Sequence, residues 1–97
     1  MRVRWTETAE AHLDAIYANI AQDSATYALR TVDRNTRRSQ QIGEFPLSGR
    51  KVPEYELDQI REVFSGPYRI IYHIMAEQID VVAVIHGATN VLQGAKE

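Results

Sequence analysis

From Ile60 to His86 the chain reads IREVFSGPYRIIYHIMAEQIDVVAVIH, three runs rich in Ile, Val, Tyr and Phe cut by Ser65-Gly66-Pro67 and by Ala76-Glu77-Gln78. Connections this short join antiparallel neighbours, so the pattern predicts a three-stranded meander. The third run, IDVVAVI over 79–85, is apolar at both parities apart from Asp80. Such a strand is covered on both faces and belongs in the middle of a sheet. Upstream, the period changes. Ala9, Leu13, Ile16, Tyr17 and Ile20 recur at helical spacing while Glu10, His12, Asp14 and Asn19 fall elsewhere, which predicts an amphipathic helix ending near Gln22. Thr6 is its cap, and Glu7 and Glu10 suit the positive end of its dipole.

Asp23 and Ser24 supply the next cap, and a second helix runs through Tyr27, Ala28, Val32, Thr36 and Ser39 to Ile42, with Gly43 as its stop. Its apolar stripe thins beyond Val32, and the side bearing Arg34, Arg37 and Arg38 is strongly polar. So short a link between helices makes an antiparallel hairpin, lying on the sheet through Trp5, Leu13, Tyr17, Ile20, Tyr27 and Val32. Val3 to Thr6 reads as an edge strand. The stretch 44–56, EFPLSGRKVPEYE, has neither period; it predicts an ordered loop anchored inward by Phe45 and Leu47. After His86 the pattern is lost, and 87–97 is expected to be a loosely held tail.

Composition narrows the function classes. Ninety-seven residues make one domain, 1–97, able to bury a core without staples. With no cysteine there are no disulfides, no thiolate chemistry and no thiol-based zinc site. No apolar run approaches the roughly 20 residues of a membrane span, and MRVRWTE lacks a signal-peptide core, so a cytoplasmic protein without membrane partners is expected. Eleven Lys and Arg against thirteen Asp and Glu leave a net charge of −2. A protein whose main task is gripping a phosphate backbone carries a basic excess, so the total argues mildly against that task. The distribution softens this, because most of the arginines fall between Arg30 and Arg69.

A strand, a helical hairpin, an FP…GR…VPE loop, then IREV, YRIIY and a hydrophobic strand ending in VIH, in that order, resemble the toxins of the RelE/ParE superfamily of type II toxin–antitoxin systems, a group that includes plasmid stabilisation proteins. The likeness spans Trp5 to about His86. It implies an α+β fold in which an N-terminal strand and an antiparallel helical hairpin pack on a small antiparallel sheet. It also implies a cognate antitoxin as partner. The superfamily divides by activity. RelE-like members are mRNA interferases that cut mRNA on the ribosome with basic and aromatic side chains, whereas ParE-like members share the fold and poison DNA gyrase.

RNA cleavage through the 2′-hydroxyl requires a base, cations for the charged phosphorane and an acid for the leaving oxygen. Arg61 and Arg69 are the candidates for the cationic clamp, Arg50 and Lys51 for binding nearby, and His86 for the acid or base. Tyr72 is a candidate for stacking on a base. Each has a bland alternative: Arg61 pairing with Glu62 or Glu54, His86 as a hydrogen-bonded strand end, Tyr72 as core. The motif also departs from many RelE-like chains, since Gly87-Ala88-Thr89-Asn90 follows His86 where arginine, lysine or tyrosine is common. His12 and His73 have no second ligand at metal spacing, so neither metal nor cofactor is expected. The reading is a type II toxin, ParE-like in acting on gyrase. The alternative is a RelE-like endoribonuclease, and a third reading is an inactive relative that only binds its partner.

Overall fold

Thr6 organises the first turn of the chain. Its Oγ1 accepts the Ala9 N–H at 3.2 Å, capping a helix, and donates to the Val81 carbonyl at 3.0 Å, tying that helix end to the sheet. Ser24 repeats the capping role, its Oγ accepting the Tyr27 N–H at 3.1 Å. In the computed structural model, which describes residues 1–88, the elements are β1 (Arg2–Trp5), α1 (Glu7–Ala21), α2 (Ala25–Glu44), a 3-10 turn (Pro46–Ser48), β2 (Arg50–Lys51), β3 (Ile60–Ser65), β4 (Tyr68–Ile74) and β5 (Gln78–His86). Gly87 and Ala88 form a turn; the rest of the expected tail lies outside the described residues.

The strands form one sheet in the order β1-β5-β4-β3-β2. The meander β3-β4-β5 and its neighbour β2 are antiparallel, and β1 joins β5 in parallel, which makes the sheet mixed. Parallel neighbours need a long crossover, and everything from the helical hairpin to β4 lies between these two strands. The α+β architecture is the one expected, but the central place falls to β4, with β5 between it and β1.

β5 is nonetheless covered on both faces. Ile79, Val81 and Val84 pack under the helices with Ala9, Ile42, Val63, Ile70 and Tyr72. Val82, Ala83 and Ile85 pack on the other face around Val52 and Ile71, with Tyr55 and Ile60. A bulge makes this possible. Ile71 pairs with Ala83 but Tyr72 pairs with Val81, so Val82 is the extra residue that keeps both apolar sets facing inward.

Three local expectations change. Gly43 does not stop α2, which continues to Glu44. A Cβ at Gly43 would lie 2.5 Å from the Met1 carbonyl oxygen and 3.1 Å from Val3 Cγ2, so glycine is there to let β1 and α2 touch. Phe45 and Leu47 are not inward anchors; they are 65% and 69% exposed. The loop is held instead by buried Val52 and by Tyr72, whose Oη donates to the Pro46 carbonyl at 2.7 Å and accepts the Gly49 N–H at 3.1 Å. Tyr27, expected in the hairpin's packing surface, is exposed. The buried stripe of α2 is made of small residues, Ala28, Thr31, Asn35 and Ser39, followed by Ile42, and Trp5 Nε1 donates to Ser39 Oγ at 3.1 Å.

Candidate functional site

Strand alternation decides which candidate residues can meet. On β3, Val63 faces the helices and so does Arg61, two residues away; Glu62 and Phe64 face outward. On β4, Tyr72 and Ile70 face the helices while Arg69 and Ile71 face outward. The hairpin register sets Arg61 opposite Tyr72 and Arg69 opposite Phe64. Arg61 and Arg69 therefore lie on opposite faces of the sheet.

Arg69, 4% exposed, is held by two carboxylates. Its Nη1 and Nη2 donate to Glu54 Oε2 and Oε1 at 3.1 and 3.0 Å, a parallel fork, and its Nε donates to Glu62 Oε1 at 2.6 Å. The hydrogen bond to Glu54 is the chief reason its pKa is raised further above the ordinary arginine value, with Glu62 adding to it and burial opposing. Arg50 approaches Glu62 from the other side, Nε to Oε2 at 2.6 Å, and its guanidinium carbon sits 5.2 Å from the centre of the Phe64 ring. Two arginines and two glutamates thus compensate one another on the outer face. The carboxylates considered as partners for Arg61 belong to Arg69 and Arg50.

Arg61 makes backbone contacts, Nε to the Asp58 carbonyl and Nη1 to the Gly49 carbonyl, both at 2.9 Å. Lys51 pairs with Asp58 at 2.8 Å, and that hydrogen bond holds the Asp58 carboxyl below its usual range. Tyr72 is fully buried, and burial pushes its phenol up. His86 ends β5 exposed, edge-on to Tyr68 with ring centres 6.1 Å apart, its Nδ1 accepting the Ala88 N–H at 3.4 Å. His12 Nδ1 accepts the Val84 N–H at 3.2 Å. Among the described residues no group of three or more His, Cys, Asp or Glu could hold a metal ion, and no helix is long and apolar enough to cross a membrane.

A second basic region, read in the sequence only as the polar side of a helix, borders a cleft of about 410 Å³ between α2 and the β3–β4 turn. Arg30, Arg34, Arg37 and Arg38 line it together with Ser65 and Gly66. The signal was their spacing, which puts four cations on one flank of α2.

The ParE toxin family, described as the ParE toxin of the type II toxin–antitoxin system parDE, matches residues 3–91. This chain belongs to that family. The toxin is 33% identical over 87 residues to a Sinorhizobium fredii protein named as a candidate toxin, Y4kP, covering 88% of this chain and 86% of that one. Among solved structures it is similar in fold to a chain of the chromosomal ParDE system from P. aeruginosa, with a TM-score of 0.75 at 21% identity over 89% of this chain and 95% of the other. The toxin belongs to a type II toxin–antitoxin pair, and a cognate antitoxin is its partner.

Proposed function

We propose that the toxin acts in the cytoplasm by binding and poisoning DNA gyrase, as ParE-like members of the superfamily do, with no chemistry of its own. The observation that carries this reading is the state of Arg69. A cation that stabilises a phosphorane must reach the phosphate, and this guanidinium is buried with its donors committed to Glu54 and Glu62. Arg61 is on the opposite face with its donors on the carbonyls of Gly49 and Asp58. His86 ends β5 exposed, edge-on to Tyr68. A convergent set for cleaving RNA would need all three to move.

The test is a paired assay of the purified toxin freed of antitoxin, measuring plasmid supercoiling by gyrase and cleavage of mRNA on programmed ribosomes. Loss of supercoiling or accumulation of cleaved plasmid, with intact mRNA, is expected. Codon-positioned mRNA cuts beside normal gyrase activity would overturn the reading and return Arg61, Arg69 and His86 to the role of catalytic candidates, with Arg50, Lys51 and Tyr72 as substrate contacts. Absence of growth arrest when the toxin is expressed without antitoxin would leave only a partner-binding relative.

A further inference from the structure

The cleft beside α2 meets the outer-face cluster at Phe64, and its charge is compensated only in part. Arg30, Arg34 and Arg38 follow one another at four-residue intervals, with Arg37 one turn after Arg34. Like charges at that spacing destabilise a helix, so the arrangement costs the fold something. Asp33 answers Arg37 at 3.0 Å. Arg38 donates only to neutral acceptors, the Phe64 carbonyl at 3.3 Å and Gln41 Oε1 at 3.1 Å. Arg30 and Arg34 make no hydrogen bond or ion pair among the described residues. Four guanidinium groups less one carboxylate leave a local excess of three positive charges on a chain whose net charge is −2.

The wall of the cleft adds an independent sign. Ser65 is 4% exposed, shares the helix-facing side of β3 with Val63, and its Oγ has no hydrogen-bond partner among the described residues. A buried hydroxyl without a partner is uncommon and disfavoured. Next to it, Gly66 adopts φ 55°, the first central position of a two-residue hairpin turn. A Cβ there would collide with Nη1 of Arg34, so the turn leaves room for that guanidinium against it.

A carboxylate carries one charge on two oxygens and is satisfied by one arginine fork. Three uncompensated guanidinium groups beside a spare hydroxyl suit a tetrahedral anion with more oxygens and more charge. We propose that this cleft binds phosphate groups, with Arg30 and Arg34 as the principal contacts, Arg38 fixed in place between them and the sheet, and Ser65 as a hydroxyl donor. The phosphates belong to a nucleotide or to a nucleic-acid backbone. The site does not depend on which target the toxin inhibits.

The full-length toxin, freed of antitoxin, would be titrated with inorganic tripolyphosphate, with ATP and with a short fluorescent DNA duplex, by calorimetry and anisotropy. The variants are Arg30→Gln/Arg34→Gln, Ser65→Ala, and Arg2→Gln/Arg4→Gln as a charge-matched control on β1; thermal melts establish that each is folded. Tripolyphosphate is expected to bind the native chain and the control alike, and Arg30→Gln/Arg34→Gln to weaken it at least about tenfold, the loss of one or two charge-assisted hydrogen bonds. Ser65→Ala weakens it by a smaller factor. ATP binding without duplex binding assigns the site to a nucleotide, and duplex binding lost in the same variant assigns it to a backbone. No binding of any phosphate probe, or equal losses in the control, would overturn the proposal.

Discussion

Arg69 and Glu62 lie side by side on the outer face of the sheet, Nε 2.6 Å from Oε1, at 4% and 1% exposure. Glu62 is also the partner of Arg50, and Arg69 of Glu54, so the pair links β2, β3, β4 and the loop before β3. Removing Arg69 takes one of two cationic partners from buried Glu62, leaving it Arg50, and takes the guanidinium fork from Glu54.

Arg69→Ala is therefore expected to lower stability by about 3–5 kcal/mol, measured as the urea midpoint, and to lose growth inhibition because less folded toxin is present. The double variant Arg69→Met/Glu62→Leu recovers part of that loss, since Glu62 is no longer buried short of a cation and Arg50 is exposed enough to be solvated, while Glu54 still loses its fork. If Arg69→Ala abolished toxicity with an unchanged urea midpoint, the residue would act on a target rather than on the fold.

Tyr72 gives the fold an alkaline limit. Burial raises the pKa of its phenol above the ordinary 10.0. A folded-state pKa above the unfolded one gives a contribution that is complete below the unfolded value and disappears as pH rises through the folded value. Stability should fall above about pH 10 more steeply in the native chain than in Tyr72→Phe, read from urea midpoints between about pH 8 and about pH 11. At neutral pH, Tyr72→Phe costs about 1–3 kcal/mol, because the buried Gly49 N–H loses its acceptor.

Neighbouring apolar residues differ in what they do. Phe45→Ser and Leu47→Ser, at exposed positions, should change stability by no more than about 0.5 kcal/mol. Ile42→Ala, three residues before Phe45 and fully buried, should cost about 2–5 kcal/mol. Denaturation of the three variants side by side checks both; a large loss at Phe45 would mean that the loop is anchored by it after all.

Thr6→Ala removes a cap and a link to the sheet together. A loss of about 1–2 kcal/mol is expected. Thr6→Ser, which keeps the oxygen, should retain most of the stability in the same urea titration.

The elements were legible in the sequence because they follow from neighbours within a few positions. Side-chain period separates helix from strand, Thr6 and Ser24 carry caps in their own hydroxyls, and Gly66-Pro67 between two strand runs suits a two-residue hairpin turn. The order of those elements was enough to reach the superfamily. What period and spacing could not reach were the relationships across strands. Strand parity places Arg61 and Arg69 each on a face of its own strand, but only the hairpin register puts those faces on opposite sides of the sheet. The outward face shared by neighbouring strands gives Glu62 to Arg69 rather than to adjacent Arg61, and the packing of the loop brings Glu54 there too; the packing of α2 leaves Arg30 and Arg34 at a cleft whose far wall is β3. Gly43 reads as a helix stop until β1 is brought against it from the far end of the chain. Phe45 and Leu47 read as anchors until Val52 and the Tyr72 hydroxyl take that place. Local chemistry determined the pieces, and packing between residues far apart in sequence decided which side chains were enclosed and which stayed free to act.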